Sequence, residues 1–286
     1  VSENLKKHLS KLSKRGPHHV LVGDLDYAGL PGKVYVPAEG NGVPGIVFGH
    51  DWMKNVGKYH ATLRHFASWG IAVAAPNTET GFSPDHRGFA ADLESCLQII
   101  AGVKLGTGSV TVGPGKLGLV GHGMGAGCAV LAAVDNPKVK AVAALYPAVT
   151  APSAVAAARS LDIPGLVIGS GHDSLIDAGN PAKLAYSWRG DVAYREIAKA
   201  NQLGFSEDSL LNLAIGNGKP QWSAQETARG LITGFLLHQL DQQNKYSGFS
   251  AALAEAKKVR SYVGEELAEK AGVELSSSTA LSEIQN

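Results

Sequence analysis

An α/β fold, a mostly parallel central sheet with helices on both faces, is what this sequence predicts. The first observation is alternation: short apolar runs and helix-length segments follow one another from residue 45 to 240. Parallel neighbours need crossovers, so this alternation implies helices covering the sheet. The second is size and composition. With 286 residues, 44% of them apolar and 18% charged, the chain suits one α/β domain with appendages and is too apolar to be disordered. The third is spacing: connections are short, and no repeat recurs at a fixed period.

The elements follow in order. Leu5, Leu9 and Leu12 share one face of a short N-terminal helix whose other face carries Lys6, Lys7, Lys11, Lys14 and Arg15. Docking on the body with a solvated basic face is the expectation; contact with a membrane surface or polyanion is the lesser alternative. Val20–Leu25 and Lys33–Val36 flank the turn-rich Tyr27–Gly32 and read as an antiparallel pair. Strands are then expected at 45–49, 71–75, 117–120, 139–145, 165–168 and 192–197. Helices are expected at 57–69, 86–104, 125–135, 181–188 and 223–240. Phe249, Leu253, Ala256, Val259, Val263 and Leu267 recur at helical spacing and predict one amphipathic helix. The organisation is therefore 1–19 basic helix, 20–246 α/β domain, 247–272 amphipathic helix, and 273–286 polar, disordered tail.

Several function classes fall away. A net charge of +1 gives no basic footprint for nucleic acid. No window approaches the ~18 continuous apolar residues of a membrane span. The first residues lack the apolar core of a secretory signal, so a cytoplasmic protein is expected. Cys96 and Cys128 cannot form a disulfide framework, and both lie in helical apolar patterns where cysteine acts as a small buried hydrophobe.

The most informative segment is Lys116-Leu-Gly-Leu-Val-Gly-His-Gly-Met-Gly-Ala-Gly127, where a strand runs into a helix through glycines. One reading is a dinucleotide fingerprint, G-x-G-x-x-G/A, met by Gly121, Gly123 and Ala126. That fingerprint also needs an acid about 20 residues on, and the next strand, Val139–Pro147, ends without one. The turn follows the third parallel strand, not the first. The other reading is a nucleophile elbow, G-x-S-x-G. Gly121 and Gly125 occupy the flanking glycines, and His122 and Met124 match the G-H-S-M-G form on either side of the centre. The nucleophile position itself holds Gly123, which has no side chain.

With an antiparallel start, two parallel strands and then this elbow, residues 20–246 resemble the α/β-hydrolase superfamily. The nearest likeness is to polyester-hydrolase or cutinase-like esterases and to dienelactone hydrolases. The segment Ile168–Ser174 and the closing helix ending Phe235–Asp241 also carry the resemblance. His50-Asp51-Trp52-Met53 is similar to the His-Glu loop of dienelactone hydrolases. The resemblance implies a nucleophile, a base and an orienting acid. Asp173 stands at the spacing of the acid; an ordinary loop aspartate is the alternative. The base is expected near Gln202 or Leu203, yet no His occurs between His172 and His238, and His238 lies inside the final helix. Gln202 cannot shuttle protons near neutrality. The oxyanion apparatus survives in outline, with the amide of Met124 heading its helix and the His50–Asp51 loop supplying a second donor.

Two vacant positions, Gly123 and Gln202, make a non-catalytic hydrolase-like protein the leading expectation. Its partner is a small molecule or protein bound in the former cleft, lined by His50, Asp51, Trp52, His122 and Met124. An esterase or dienelactone-type hydrolase using His122 or Asp51 with Asp173 is the alternative, and an interaction protein docking through residues 249–271 is a third. No cofactor is expected. No metal is expected either: the ten histidines include no H-x-x-x-H pair. His50, Asp51, His122 and Asp173 gathering at the sheet edge is the one arrangement that leaves a metal open. The apolar loop 148–162 is a candidate cover for the cleft.

Overall fold

The computed structural model describes residues 2–171, 178–208 and 221–273. Nine strands among them form one sheet in the order β1-β2-β4-β3-β5-β6-β7-β8-β9. Strands β1 (Val20–Asp24) and β2 (Gly32–Pro37) are the expected antiparallel pair, and β2 lies antiparallel to β4 (Ala72–Pro76). From β4 the sheet runs parallel through β3 (Gly40–Gly49), β5 (Val110–His122), β6 (Val139–Leu145), β7 (Gly165–Gly171) and β8 (Val192–Ala198). These central strands read as near-continuous Val/Ala/Leu runs because both of their faces are covered.

Helices cover both sides. On one face α3 (His86–Gly102), α4 (Met124–Ala133), α5 (Ala154–Ala158) and α6 (Pro181–Tyr186) pack Phe89, Leu93, Leu97, Val130 and Ala158 onto the sheet. On the other, α2 (His60–Ser68) and α7 (Trp222–Asp241) bring Leu63, Phe66, Leu231 and Phe235, and α1 (Ser2–Leu12) adds Leu5, Leu9 and Leu12. Local signals set the helix starts. The Asp85 carboxylate accepts from the Arg87 amide at 3.0 Å and caps α3, a bond worth about 1 kcal/mol. Asn180 caps α6 ahead of Pro181, whose missing N–H costs nothing at that position. Helix α4 has no polar face, as befits a helix held between the sheet and α3.

At the N-terminal end the leucine face of α1 is buried in the core and its lysine face meets solvent. Among the described residues no helix is long and apolar enough to cross a membrane.

The single amphipathic helix expected at 247–272 does not form. A 3-10 turn (Asn244–Phe249) is followed by strand β9 (Val259–Ser261), antiparallel to β8, and by the short helix α8 (Gly264–Lys270). Phe249, Val259 and Leu267 are buried as the pattern demanded, but Leu253 is 60% exposed. Left-handed backbone at Lys258 (φ 66°) and Gly264 (φ 54°) interrupts any helix. The physical reason is the open edge of β8: its unpaired backbone groups recruit residues 259–261, and tertiary pairing outweighs a helical period. Within this segment residues 259–261 thus pair onto the edge of β8. Residues 274–286 of the expected tail lie outside the described residues.

Candidate functional site

The carboxyl end of β5 turns into α4 through Gly121–Gly125. Gly123 has φ 56° and ψ −117°, a conformation that side chains resist and glycine tolerates. The flanking glycines serve a different purpose. A Cβ on Gly121 would lie 2.1 Å from the Gly125 carbonyl oxygen, and one on Gly125 would lie 2.2 Å from the Gly49 carbonyl oxygen. Strand β5, helix α4 and the end of β3 therefore cross with backbone against backbone. This brings the Met124 amide, at the head of α4, to the end of the sheet where α/β proteins hold ligands.

The loop after β3 enters the same spot. Asp51 is 3% exposed, and its Oδ1 accepts from the Met124 amide at 2.8 Å and from the Trp52 amide at 2.8 Å. Its Oδ2 accepts from the Gln202 side-chain amide at 2.9 Å. A Cβ on Gly123 would sit 1.9 Å from Asp51 Oδ1 and 2.2 Å from its Cγ. The carboxylate thus stands where any side chain at position 123 would project. Gln202 closes the other side: its Oε1 accepts from the Ala178 amide at 3.0 Å.

Behind Asp51 runs a buried relay. The Asp51 amide donates to Tyr59 Oη (3.0 Å), Tyr59 Oη donates to His122 Nδ1 (2.8 Å), and His122 Nε2 donates to the Gln202 carbonyl (2.8 Å). Every donor finds an acceptor only if His122 is neutral with its proton on Nε2. Burial holds the His122 pKa below its ordinary value, against an opposing pull from the Asp51 carboxylate. Burial also drives the Tyr59 phenol well above its ordinary value. His50 spans two carbonyls, Asp51 O at 2.8 Å and Thr78 O at 2.7 Å. Those contacts favour the charged ring, but burial outweighs them and lowers its pKa.

A second tie joins the two loops. Lys54 pairs with Asp208, and Lys58 reaches the same carboxylate at 3.0 Å. Burial pushes the Asp208 pKa up, the two lysines pull it down, and the net displacement is downward. At the rim Trp52 donates Nε1 to the Phe82 carbonyl at 2.9 Å, and the rings lie 5.4 Å apart. Both side chains remain largely exposed.

The fold therefore brings together Gly123, Gln202, His50, Asp51, His122 and Met124, with Trp52 beside them. Asp173, the expected acid, lies outside the described residues. The loop 148–162 folds in part into α5, where Ala154 and Ala158 are buried. Among the described residues no group of three His, Cys, Asp or Glu side chains is placed to hold a metal ion. Cys96 and Cys128 are buried inside α3 and α4, and burial pushes both thiols up to about 12. Tyr59, Thr78 and Asp208 are contacts that sequence reasoning missed. Tyr59 falls in a segment read only as helix, and nothing local marks its hydroxyl as a partner of residues 51 and 122.

The profile of the dienelactone hydrolase family matches residues 30–197, more than half of the chain, from just before β2 to the end of β8. The match takes in the Asp51 loop and the elbow and stops short of Gln202. No curated protein matches the chain.

Proposed function

As the chain belongs to the dienelactone hydrolase family, we propose that it is a hydrolase-fold protein without ester-hydrolase turnover, one that binds a ligand at the former catalytic centre. The observation that carries this reading is the filled slot: the Asp51 carboxylate lies 1.9 Å from where a Cβ at position 123 would be. The nucleophile is missing and its space is taken. The base position holds Gln202, whose amide is committed to Asp51. His122 is no substitute, since both ring nitrogens are engaged and the side chain is fully buried. Asp51 is itself a poor nucleophile here, because three donors already hold its lone pairs. Loss of the acting members of a triad costs about 10⁶ in turnover, which leaves only a weak residue of catalysis.

The test is hydrolysis of a short p-nitrophenyl ester. The natural chain should not exceed a heat-denatured control. Restoring two residues, Gly123→Ser with Gln202→His, should also stay silent, because the serine meets Asp51. Adding Asp51→Gly should yield measurable turnover. Turnover by the natural chain that Asp51→Asn abolishes would overturn the proposal and make Asp51 a reacting group.

A further inference from the structure

We propose that the free edge of β1 seats a second copy of this chain, paired strand to strand about a twofold axis at Val22. The inference does not depend on what the site at the elbow does. Strand β1 ends the sheet order, so one of its sides has no neighbouring strand. Two bonds at its ends fix which groups face outward. The Ala38 amide donates to the His19 carbonyl at 2.8 Å, and the Leu25 amide donates to the Gly32 carbonyl at 3.0 Å. Between them the register is unbroken, from Val20 opposite Pro37 to Asp24 opposite Lys33. Antiparallel partners alternate between bonded and non-bonded pairs. Leu21 and Gly23 therefore bond to β2, whereas Val20, Val22 and Asp24 aim their N–H and C=O groups past the edge of the sheet. Val22, Gly23 and Asp24 are exposed, and no proline breaks the row. Open backbone groups in a row are a template for another strand.

The edge is complementary to itself in three respects, and this selects a second copy as the occupant. The first is bonding. With two β1 strands antiparallel about Val22, Val22 faces the partner's Val22 and Val20 faces the partner's Asp24. Every outward N–H then meets an outward C=O. The second is shape. In that register Leu21 faces the partner's Gly23, large against small. A Cβ on Gly23 would meet nothing within 4 Å, so the place is open. Leu21 lines a groove of about 360 Å³ beside it, with Tyr27, Val34, Val36 and Val103, and the twofold axis continues this groove into its copy. The third is charge. Lys14, Arg15, His18 and His19 precede the strand, Asp24 and Asp26 follow it, and all six are exposed. Antiparallel pairing lays the basic end of one strand along the acidic end of the other and puts His18 in register with the partner's Asp26. Parallel pairing would set like against like. Edges are commonly guarded by a charge in mid-strand, but Leu21, Val22 and Gly23 carry none. The exposed Asp24–Lys33 ion pair engages only the Asp24 side chain.

The experiment is sedimentation velocity of the full chain with increasing protein concentration. The natural chain should pass from one chain mass to two. Val22→Lys and Val22→Glu each set like charges face to face on the axis, and each should weaken association by at least about tenfold. Both should keep the melting transition of the natural chain, because the Val22 side chain is exposed and its amide takes no part in pairing with β2. An equimolar mixture of the two variants should dimerise again, since the opposed charges now attract. Val22→Cys should form a disulfide-linked dimer under mild oxidation. Bonded antiparallel partners have Cα atoms about 5.5 Å apart, within disulfide range, and the natural cysteines are buried. A natural chain that stays monomeric up to its highest soluble concentration would overturn the proposal and leave the edge to a strand of some other protein. A dimer that Val22→Lys leaves intact would overturn it too, by placing the contact on another face. So would a mixture that stays monomeric when both single variants are folded. Should a charged variant lose its melting transition, the presence or absence of the Val22→Cys crosslink decides the question.

Discussion

The two walls of the site are built from different materials. The elbow wall, Gly121–Gly125, is backbone packed on backbone: its flanking glycines, Gly121 and Gly125, exist because carbonyls of Gly125 and Gly49 lie where their side chains would begin. The opposite wall, Asp51 with Tyr59, His122 and Gln202, is a chain of side-chain hydrogen bonds. The first kind of wall does not need a nucleophile, since its geometry is set by how β5, α4 and β3 cross. The second kind decides what the space inside is for. The backbone crossing can therefore stand whatever side chains fill the space between the walls.

The largest expected effect separates the walls directly. Gly125→Ala drives a Cβ into backbone atoms that cannot move alone, and should cost more than about 4 kcal/mol or abolish folding. Gly123→Ala meets mainly the Asp51 carboxylate, so part of its cost should vanish in an Asp51→Gly background. Denaturant unfolding of the two singles and the double should give a coupling of about 1–3 kcal/mol. No coupling would mean that the backbone conformation at Gly123, and not the filled slot, sets the penalty.

Acid should next act on the side-chain wall and spare the backbone one. The pKa values of His122 in that wall and of His50 beside it are lowered by burial; so is that of His65 in α2, outside the wall, to about 4 with the Arg229 guanidinium adding to the effect. A lowered folded-state pKa means that the unfolded chain binds more protons below pH 6.5. The stability these residues contribute is therefore present above pH 6.5 and is lost as pH falls towards their folded values. For His65 the loss is on the order of 3 kcal/mol when complete, and His65→Gln should remove that share. Protection from hydrogen exchange, taken relative to the intrinsic rate at each pH, should fall on acidification at the Asp51 and Trp52 amides before it falls at the Gly123 and Ala126 amides. A simultaneous fall at both would break the distinction between the walls.

The smallest effect concerns the outer tie. Lys54→Ala leaves Asp208 still paired with Lys58 and should cost about 1 kcal/mol, less at high salt. It should also ease the release of Asp51, read as faster exchange at the Trp52 amide with the exchange at Gly123 unchanged.

Much of the fold was legible because its signals are local. Alternating apolar runs located β6, β7 and β8 to within a residue or a few, and the glycine spacing located the elbow. Residues 249–271 were misread because Val259 satisfies a helical period and a strand position equally well. Only the open edge of β8 selects between them. The candidate site was legible in part of its membership and not in its arrangement. Gly123, Gln202, Asp51, His122 and Met124 all stand out from the sequence.

By itself the sequence determined that position 123 carries no side chain and that residue 202 is a glutamine, with no proton to exchange near neutrality. What occupies the space beside Gly123 was a tertiary decision. Asp51 meets Met124 across 73 positions and Gln202 across 151. Contacts at that separation leave no periodic trace along the chain. They exist because the ends of β3, β5 and β8 are brought to one edge of the sheet, where the segments that follow them meet.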